Sequence, residues 1–166
     1  MITITFPDGN QRSYESGTTA MDVAKSISHG LARNVLSGNF DGQTIELNDP
    51  LTADGTLQFF TWNDASGKEA FWHSSAHVLA QAIVHFYPEA KLTIGPAIEK
   101  GFYYDVDFGE ETIGEKDFEK IEKQMLEFAR AKSEFKLRAV TKAEALEAYK
   151  DNPYKTELIS NLEDGT

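Results

Sequence analysis

Cysteine is absent from the 166 residues. That excludes disulfides and zinc–thiolate centres and leaves histidine and carboxylate as the only good metal ligands. No run of about 18 apolar residues occurs, so no helix long enough to cross a bilayer is expected. The start, "MITITFPDG", has no basic stretch leading into an apolar one, which makes the cytoplasm the expected location and leaves no membrane partner. Positive charge is also scarce: 16 Lys and Arg face 27 Asp and Glu, a formal net charge of −11. A broad basic surface for gripping nucleic acid is thereby excluded, and any RNA partner has to be held locally. What is present is a 40% hydrophobic chain, enough for one real core or two small ones.

The first sixty residues read as a small α+β domain. "ITITF" puts Ile2, Ile4 and Phe6 on one face and threonines on the other, the period-two signature of a half-buried strand. "PDGN" supplies turn chemistry and "QRSYES" a returning strand. In "GTTAMDVAKSISHGLARNV", Met21, Ala24, Ile27 and Ala32 fall near helical spacing behind a capping threonine, with Gly30 as the expected stop. "NVLSGNFDGQTIELNDPL" and "GTLQFFT" then read as short strands divided by turns. The polar stretch "TWNDASGKE" separates this part from the remainder of the chain, giving expected domains of 1–62 and 63–166.

The second part opens with "FWHSSAHVLAQAIVHF", residues 71–86. At 100° per residue, Trp72, Ala76, Leu79, Ile83 and Phe86 form one stripe, His73 and His77 share its edge, and His85 points away. "KLTIGPAIEKGFYYDVDF" reads as a hairpin turning at Glu-Lys-Gly, with Gly95-Pro96 interrupting its first strand at an edge, a bulge or a close approach to the backbone. "TIGEKDFEKIEKQMLEFARAK" predicts a helix behind a Thr-x-x-Glu capping box, with Phe118, Ile121, Met125 and Phe128 on its apolar face. "FKLRAV" predicts a strand, "TKAEALEAYK" a second boxed helix, and residues 153–162 a last helix with proline in its first turn.

Histidines at i and i+4 on a helix face one small volume. They can bind a metal with ligands from elsewhere, activate a water, hydrogen-bond a bound group, or simply pack. A zincin would need glutamate straight after the first histidine, where this chain has Ser74. Two histidines are too few to hold zinc, so no metal is expected in these residues.

The segment "HSSAHVLAQAI", followed by "IGPAIEKGFYYDVDF" and later by "NPYK", resembles the editing domain at the amino-terminal side of bacterial threonyl-tRNA synthetases. The preceding sixty residues resemble the TGS module, a ubiquitin-like β-grasp domain. The resemblance covers essentially the whole chain. It implies a fold of α+β class, a β-grasp domain followed by an incomplete α+β editing domain. It implies a parent enzyme that ligates threonine to tRNA(Thr) with ATP, using magnesium and a zinc ion in a catalytic domain these residues do not contain, and acting as a homodimer through such further domains. It implies no cofactor in these residues themselves. The partner is the tRNA(Thr) acceptor end carrying a serine or threonine ester.

The resemblance also assigns roles. His73 and His77 stand at a hydrolytic centre that removes serine from mischarged tRNA, with His73 positioning or deprotonating water and His77 orienting nucleotide or water. Lys155 of "NPYK" stabilises developing negative charge or places the water, Tyr104 lines the pocket, and Gly95 and Pro96 shape it through their backbone. The family completes its editing site with a Cys-x-x-x-His element that these residues lack, so they are expected to be a truncated piece that hydrolyses seryl-tRNA poorly. The alternative is an RNA-binding accessory module with dispensable histidines, which a basic patch would favour.

Overall fold

The computed structural model describes residues 1–132, 135–136 and 138–163. The chain divides into two compact units, Met1–Trp72 and His73 onward.

In the first unit, strands β1 (Ile2–Thr5), β2 (Gln11–Tyr14), β3 (Val35–Phe40), β4 (Gln43–Ile45) and β5 (Gly55–Thr61) form one sheet in the order β2-β1-β5-β3-β4. β1 runs parallel to β5, pairing Ile4 with Gly55 and Thr5 with Thr56, and the other neighbours are antiparallel. The alternation in "ITIT" works as expected: Ile2 and Ile4 are buried and the threonines are not. Ile2, Ile4, Ala20, Val23, Leu51 and Leu57 make the core. A buried side chain of the size of Ile4 or Leu57 contributes about 1.5–3 kcal/mol over leaving it in water. Gly9 takes φ +82° in the "PDGN" turn, and the Asp8 carboxylate accepts hydrogen bonds from both nitrogens of Asn10.

The expected single helix is two. Helix α1 (Ala20–Ile27) starts at the Thr19 cap as foreseen, but it stops at Ser28 rather than Gly30. Ser28 is extended and donates its N–H to Ala24 O, while its hydroxyl accepts the Leu31 N–H and so caps α2 (His29–Asn34). One serine ends a helix and starts the next, which leaves Gly30 inside α2. The buried face of α1 is Ala20, Val23 and Ala24, with Ile27 exposed.

Helix α3 (Ala65–Phe86) begins in the first unit, and the division falls within it. Gly67 is required there, because a Cβ would overlap the Thr61 carbonyl at the end of β5. Trp62, Phe71 and Trp72 meet edge to face with centroids 5.2–5.4 Å apart.

In the second unit, α3 buries Ala76, Ala80, Ala82 and Ile83, with Leu79 and Phe86 half-buried. Strands β6 (Lys91–Leu92), β7 (Ala97–Ile98), β8 (Gly101–Phe102) and β9 (Val106–Asp107) make the expected hairpin in two ladders, β6 with β9 and β7 with β8. Helices α4 (Glu115–Ala131), α5 (Lys142–Ala148) and α6 (Pro153–Ser160) come next. The Thr141–Glu144 capping box forms in both directions. The expected box at Thr112 does not form: Gly114 is the cap of α4, and its N–H donates to the Asp117 carboxylate at 3.0 Å. Of the expected apolar face of α4, Ile121 is buried, Met125 and Phe128 are half-buried and Phe118 is 50% exposed. Phe135, Lys136, Arg138, Ala139 and Val140 lie in no strand, so the strand expected from "FKLRAV" is not there among the described residues; Leu137 lies outside them.

Asp117 is 7% exposed and joins the start of α4 to the end of α3. Lys120, 2.7 Å away, the Gly114 N–H and the Tyr87 side chain hold its carboxyl down at about 2. Lys120 in turn lies over the rings of Phe86 and Tyr87, 5.4 and 5.0 Å from their centroids. A carboxyl depressed in the folded state gives stability that is present above its unfolded value, 3.8, and is lost as pH falls towards about 2. Asp117→Asn is therefore expected to lower the urea midpoint at pH 7 and to flatten its fall between pH 4 and 2. An acid limb as steep as in the unsubstituted chain would show that Asp117 does not carry this linkage.

Candidate active site

His73 and His77 stand one helical turn apart on α3, and their rings meet edge to face with Nε2 3.1 Å from Nε2. In that contact one Nε2–H donates to the lone pair of the other, so at least one ring is neutral. His85 keeps away from them, as its place on the helix predicts: its ring neighbours are Phe86 and Phe128, at 4.9 and 5.9 Å. The His77 pKa lies below the ordinary imidazole value. Partial loss of solvent around the ring is the largest cause, followed by the neighbouring His73 and then the positive charge of Lys155.

The "NPYK" stretch explains how that charge arrives. Asn152 caps α6, its side-chain oxygen accepting the Lys155 N–H at 3.1 Å, and its side-chain nitrogen donates to Leu92 O in β6 at 2.8 Å. Pro153 occupies the first helical position, where its missing N–H costs nothing. Tyr154 O–H donates to the Asp107 carboxylate in β9 at 2.7 Å. Two side-chain bonds thus fix α6 to the hairpin. Lys155 sits in the first turn of α6, the end whose dipole disfavours a cation. Its ammonium lies 4.6 Å from the centroid of Tyr149. Among the described residues the ion pairs are Asp22–Lys25, Asp117–Lys120 and Glu147–Lys150, so no carboxylate neutralises it.

On the hairpin, the ring of Tyr104 lies against Gly95 so closely that a Cβ there would overlap it. The close approach to the backbone left open by the Gly95-Pro96 break is therefore the ring of Tyr104. Burial, and after it the nearby Tyr149, pushes the Tyr104 phenol above its usual value. Pro96 is half-buried between β6 and β7. Gly95, Tyr104, Tyr149, Lys155, His77 and His73 thus form a series of neighbours. Two aromatic residues of this neighbourhood were not read from the sequence. Tyr149 closes α5, where a tyrosine is unremarkable, and Phe135, 5.9 Å from His77 and 57% exposed, lies in the stretch expected to be a strand. Among the described residues no three His, Asp or Glu side chains are grouped to hold a metal ion.

Residues 2–61 match the TGS domain family. Over its full length the chain is 64% identical to the threonine–tRNA ligase of Flavobacterium johnsoniae and 63% identical to that of Flavobacterium psychrophilum. It is 52% identical over 168 aligned residues to that of Parabacteroides distasonis. It spans 26% of the length of each of these relatives. The chain is homologous to bacterial threonine–tRNA ligases. Its TGS domain comprises β1 to β5 with α1 and α2, a β-grasp arrangement of α+β class as the resemblance implied. All six expected site residues lie outside the TGS domain, in the second unit that the ligase match also covers.

Removing the Asn152 amide tests whether α6 is held where Lys155 reaches the histidines. Asn152→Ala is expected to lower stability by about 1 kcal/mol, the usual worth of a helix N-cap. It should also move the His77 titration midpoint upward, since a cation that departs no longer disfavours imidazolium. A normal loss of stability with an unmoved His77 midpoint, tracked by NMR, would show that the cap does not place Lys155.

Proposed function

We propose that this chain is the amino-terminal region of a threonine–tRNA ligase, and that its second unit carries part of a post-transfer editing site hydrolysing seryl-tRNA(Thr). The observation that carries this reading is the His73–His77 contact at 3.1 Å with the Lys155 charge reaching it. A neutral imidazole beside a fixed cation suits ester hydrolysis: one takes a proton from water, the other offsets charge developing on the carbonyl oxygen.

The need for such a site is physical. Serine is threonine less one methyl group, and a binding pocket gains only about 1–3 kcal/mol from a methyl, too little for faithful charging. A second site that is too small for threonine completes the discrimination. His73 positions the attacking water and accepts its proton. Water adds to the ester carbonyl, and the terminal ribose oxygen leaves with a proton, giving free serine and intact tRNA without ATP. His77 orients the terminal nucleotide or the water, Tyr104 lines the pocket, and Gly95 and Pro96 shape the wall against which the Tyr104 ring rests. The family pattern adds a Cys-x-x-x-His element, and this sequence has no cysteine; these residues by themselves are expected to deacylate slowly. Ligation of threonine with ATP, the magnesium and zinc it uses, and dimerisation belong to further domains of such an enzyme, which acts in the cytoplasm.

In a full-length ligase containing these residues, His73→Ala is expected to leave threonylation standing while seryl-tRNA(Thr) accumulates. Its deacylation should fall roughly 100-fold or more, the usual scale of a positioned acid or base. Equal loss of both activities would mean that His73 serves folding, and undiminished deacylation would favour an RNA-binding module with dispensable histidines.

A further inference from the structure

The least explained feature of this neighbourhood is Lys155 itself. It is half-buried, it stands in the first turn of a helix where the dipole opposes it, and none of the three ion pairs among the described residues includes it. A cation so placed would ordinarily swing out to water, since a lysine side chain has four rotatable bonds and loses entropy when held. The contact that counters this is the face of Tyr149, 4.6 Å from the ammonium, within the range in which a ring quadrupole attracts a cation.

We propose that Tyr149 is a positioning residue of this site: its ring face holds the Lys155 ammonium beside His77, at the place where Tyr104 rests on Gly95. The proposal rests on the editing reading only for the chemistry it serves; the positioning itself is a claim about geometry. Three observations converge on it. The Tyr149 ring carries the lysine. The lysine's charge is felt at His77. The Tyr149 phenol is close enough to raise that of Tyr104. Tyr149 therefore joins two parts of the site that come from different elements, α6 and the hairpin. Among the described residues no carboxylate shares this role, and that distinction matters: an aspartate or glutamate would hold the lysine more firmly, but it would cancel the charge that a developing oxyanion needs and would draw His77 towards its protonated form. A neutral ring orients the cation and leaves its charge available.

The test separates positioning from catalysis. His77 is titrated by NMR in the 166-residue chain, unsubstituted and as Lys155→Met, Tyr149→Leu and Tyr149→Phe, with His29 and His85 as internal references. Loss of the ring face is expected to raise the His77 midpoint in the direction, and by most of the size, that Lys155→Met produces, whereas Phe, which keeps the face, leaves it in place. A His77 midpoint unmoved by Tyr149→Leu, moved equally by Leu and Phe, or unmoved by Lys155→Met would overturn the proposal. In the full-length ligase, Tyr149→Leu is expected to slow seryl-tRNA deacylation roughly threefold to tenfold, the scale of one cation–ring contact. The double variant with Lys155→Met should be no slower than Lys155→Met alone. Multiplying losses would mean that Tyr149 does not act through Lys155, and so would also overturn it. If the NMR shifts appear and deacylation is unaffected by any of the variants, the positioning stands and the editing reading fails.

Discussion

The side-chain amide of Asn152 bonds in two directions, and the placing of Lys155 depends on both. Its oxygen closes the first turn of α6 and its nitrogen reaches across to the Leu92 carbonyl of the hairpin. Neither an alanine nor an aspartate could do both, since the second bond needs a donor. Tyr154, bonded to Asp107, adds a second tie between the same two elements. With α6 pinned at two points, the next residue in sequence is Lys155, and the direction of its side chain is set by a helix that cannot roll. The hairpin at the other end of these bonds carries Gly95 and Tyr104, so one amide relates the lysine to the tyrosine wall.

Lys155 is held by a ring and not by a carboxylate among the described residues. Lys25, Lys120 and Lys150 sit beside carboxylates three residues away, and of these contacts Asp22–Lys25 and Glu147–Lys150 are exposed to water and worth little. In a chain of net charge −11, Lys68 likewise lies over a ring, 6.0 Å from the centroid of Trp62, and Lys155 lies closer, 4.6 Å from that of Tyr149. The histidines beside it form no ion pair among the described residues and meet each other instead. Partial loss of solvent around His77, and after it the neighbouring His73 and the Lys155 ammonium, disfavour its positive charge, and the lowered His77 pKa is the measurable consequence. The arrangement keeps a proton acceptor available at neutral pH and a cation close to it.

Much of this was legible in the sequence, for reasons that differ between residues. Period-two alternation gave β1, turn chemistry gave Gly9, and Thr141 with Glu144 gave the start of α5, because each depends on neighbours within a few positions. Helical spacing alone placed His73 with His77 and removed His85. The errors came where two local signals competed. Ser28 ended one helix and capped another, and the extended backbone at Ser28 outweighed the glycine two residues on. Gly114 with Asp117 displaced the box expected at Thr112. Tyr149 and Phe135 could not have been found this way, since each meets its partner only through the tertiary fold. The resemblance to threonyl-tRNA synthetases singled out Lys155, but the residues that hold it there became visible only as contacts.

None of the six expected site residues belongs to the TGS domain. Its core of Ile2, Ile4, Ala20, Val23, Leu51 and Leu57 is complete in itself, and its sheet order accounts for every strand before α3. The second unit buries few large side chains among its described residues, Ile83 and Ile121 chief among them, and it is there that the polar contacts of the site concentrate. The most direct measurement of the central claim is the pH dependence of single-turnover seryl-tRNA(Thr) hydrolysis by a full-length ligase carrying these residues. If the histidines beside Lys155 perform the reaction, the rate falls on the acid side as they take up protons, and threonyl-tRNA(Thr) is spared throughout. A rate indifferent to pH across the imidazole range, or hydrolysis of threonyl-tRNA(Thr) at a similar rate, would contradict the account.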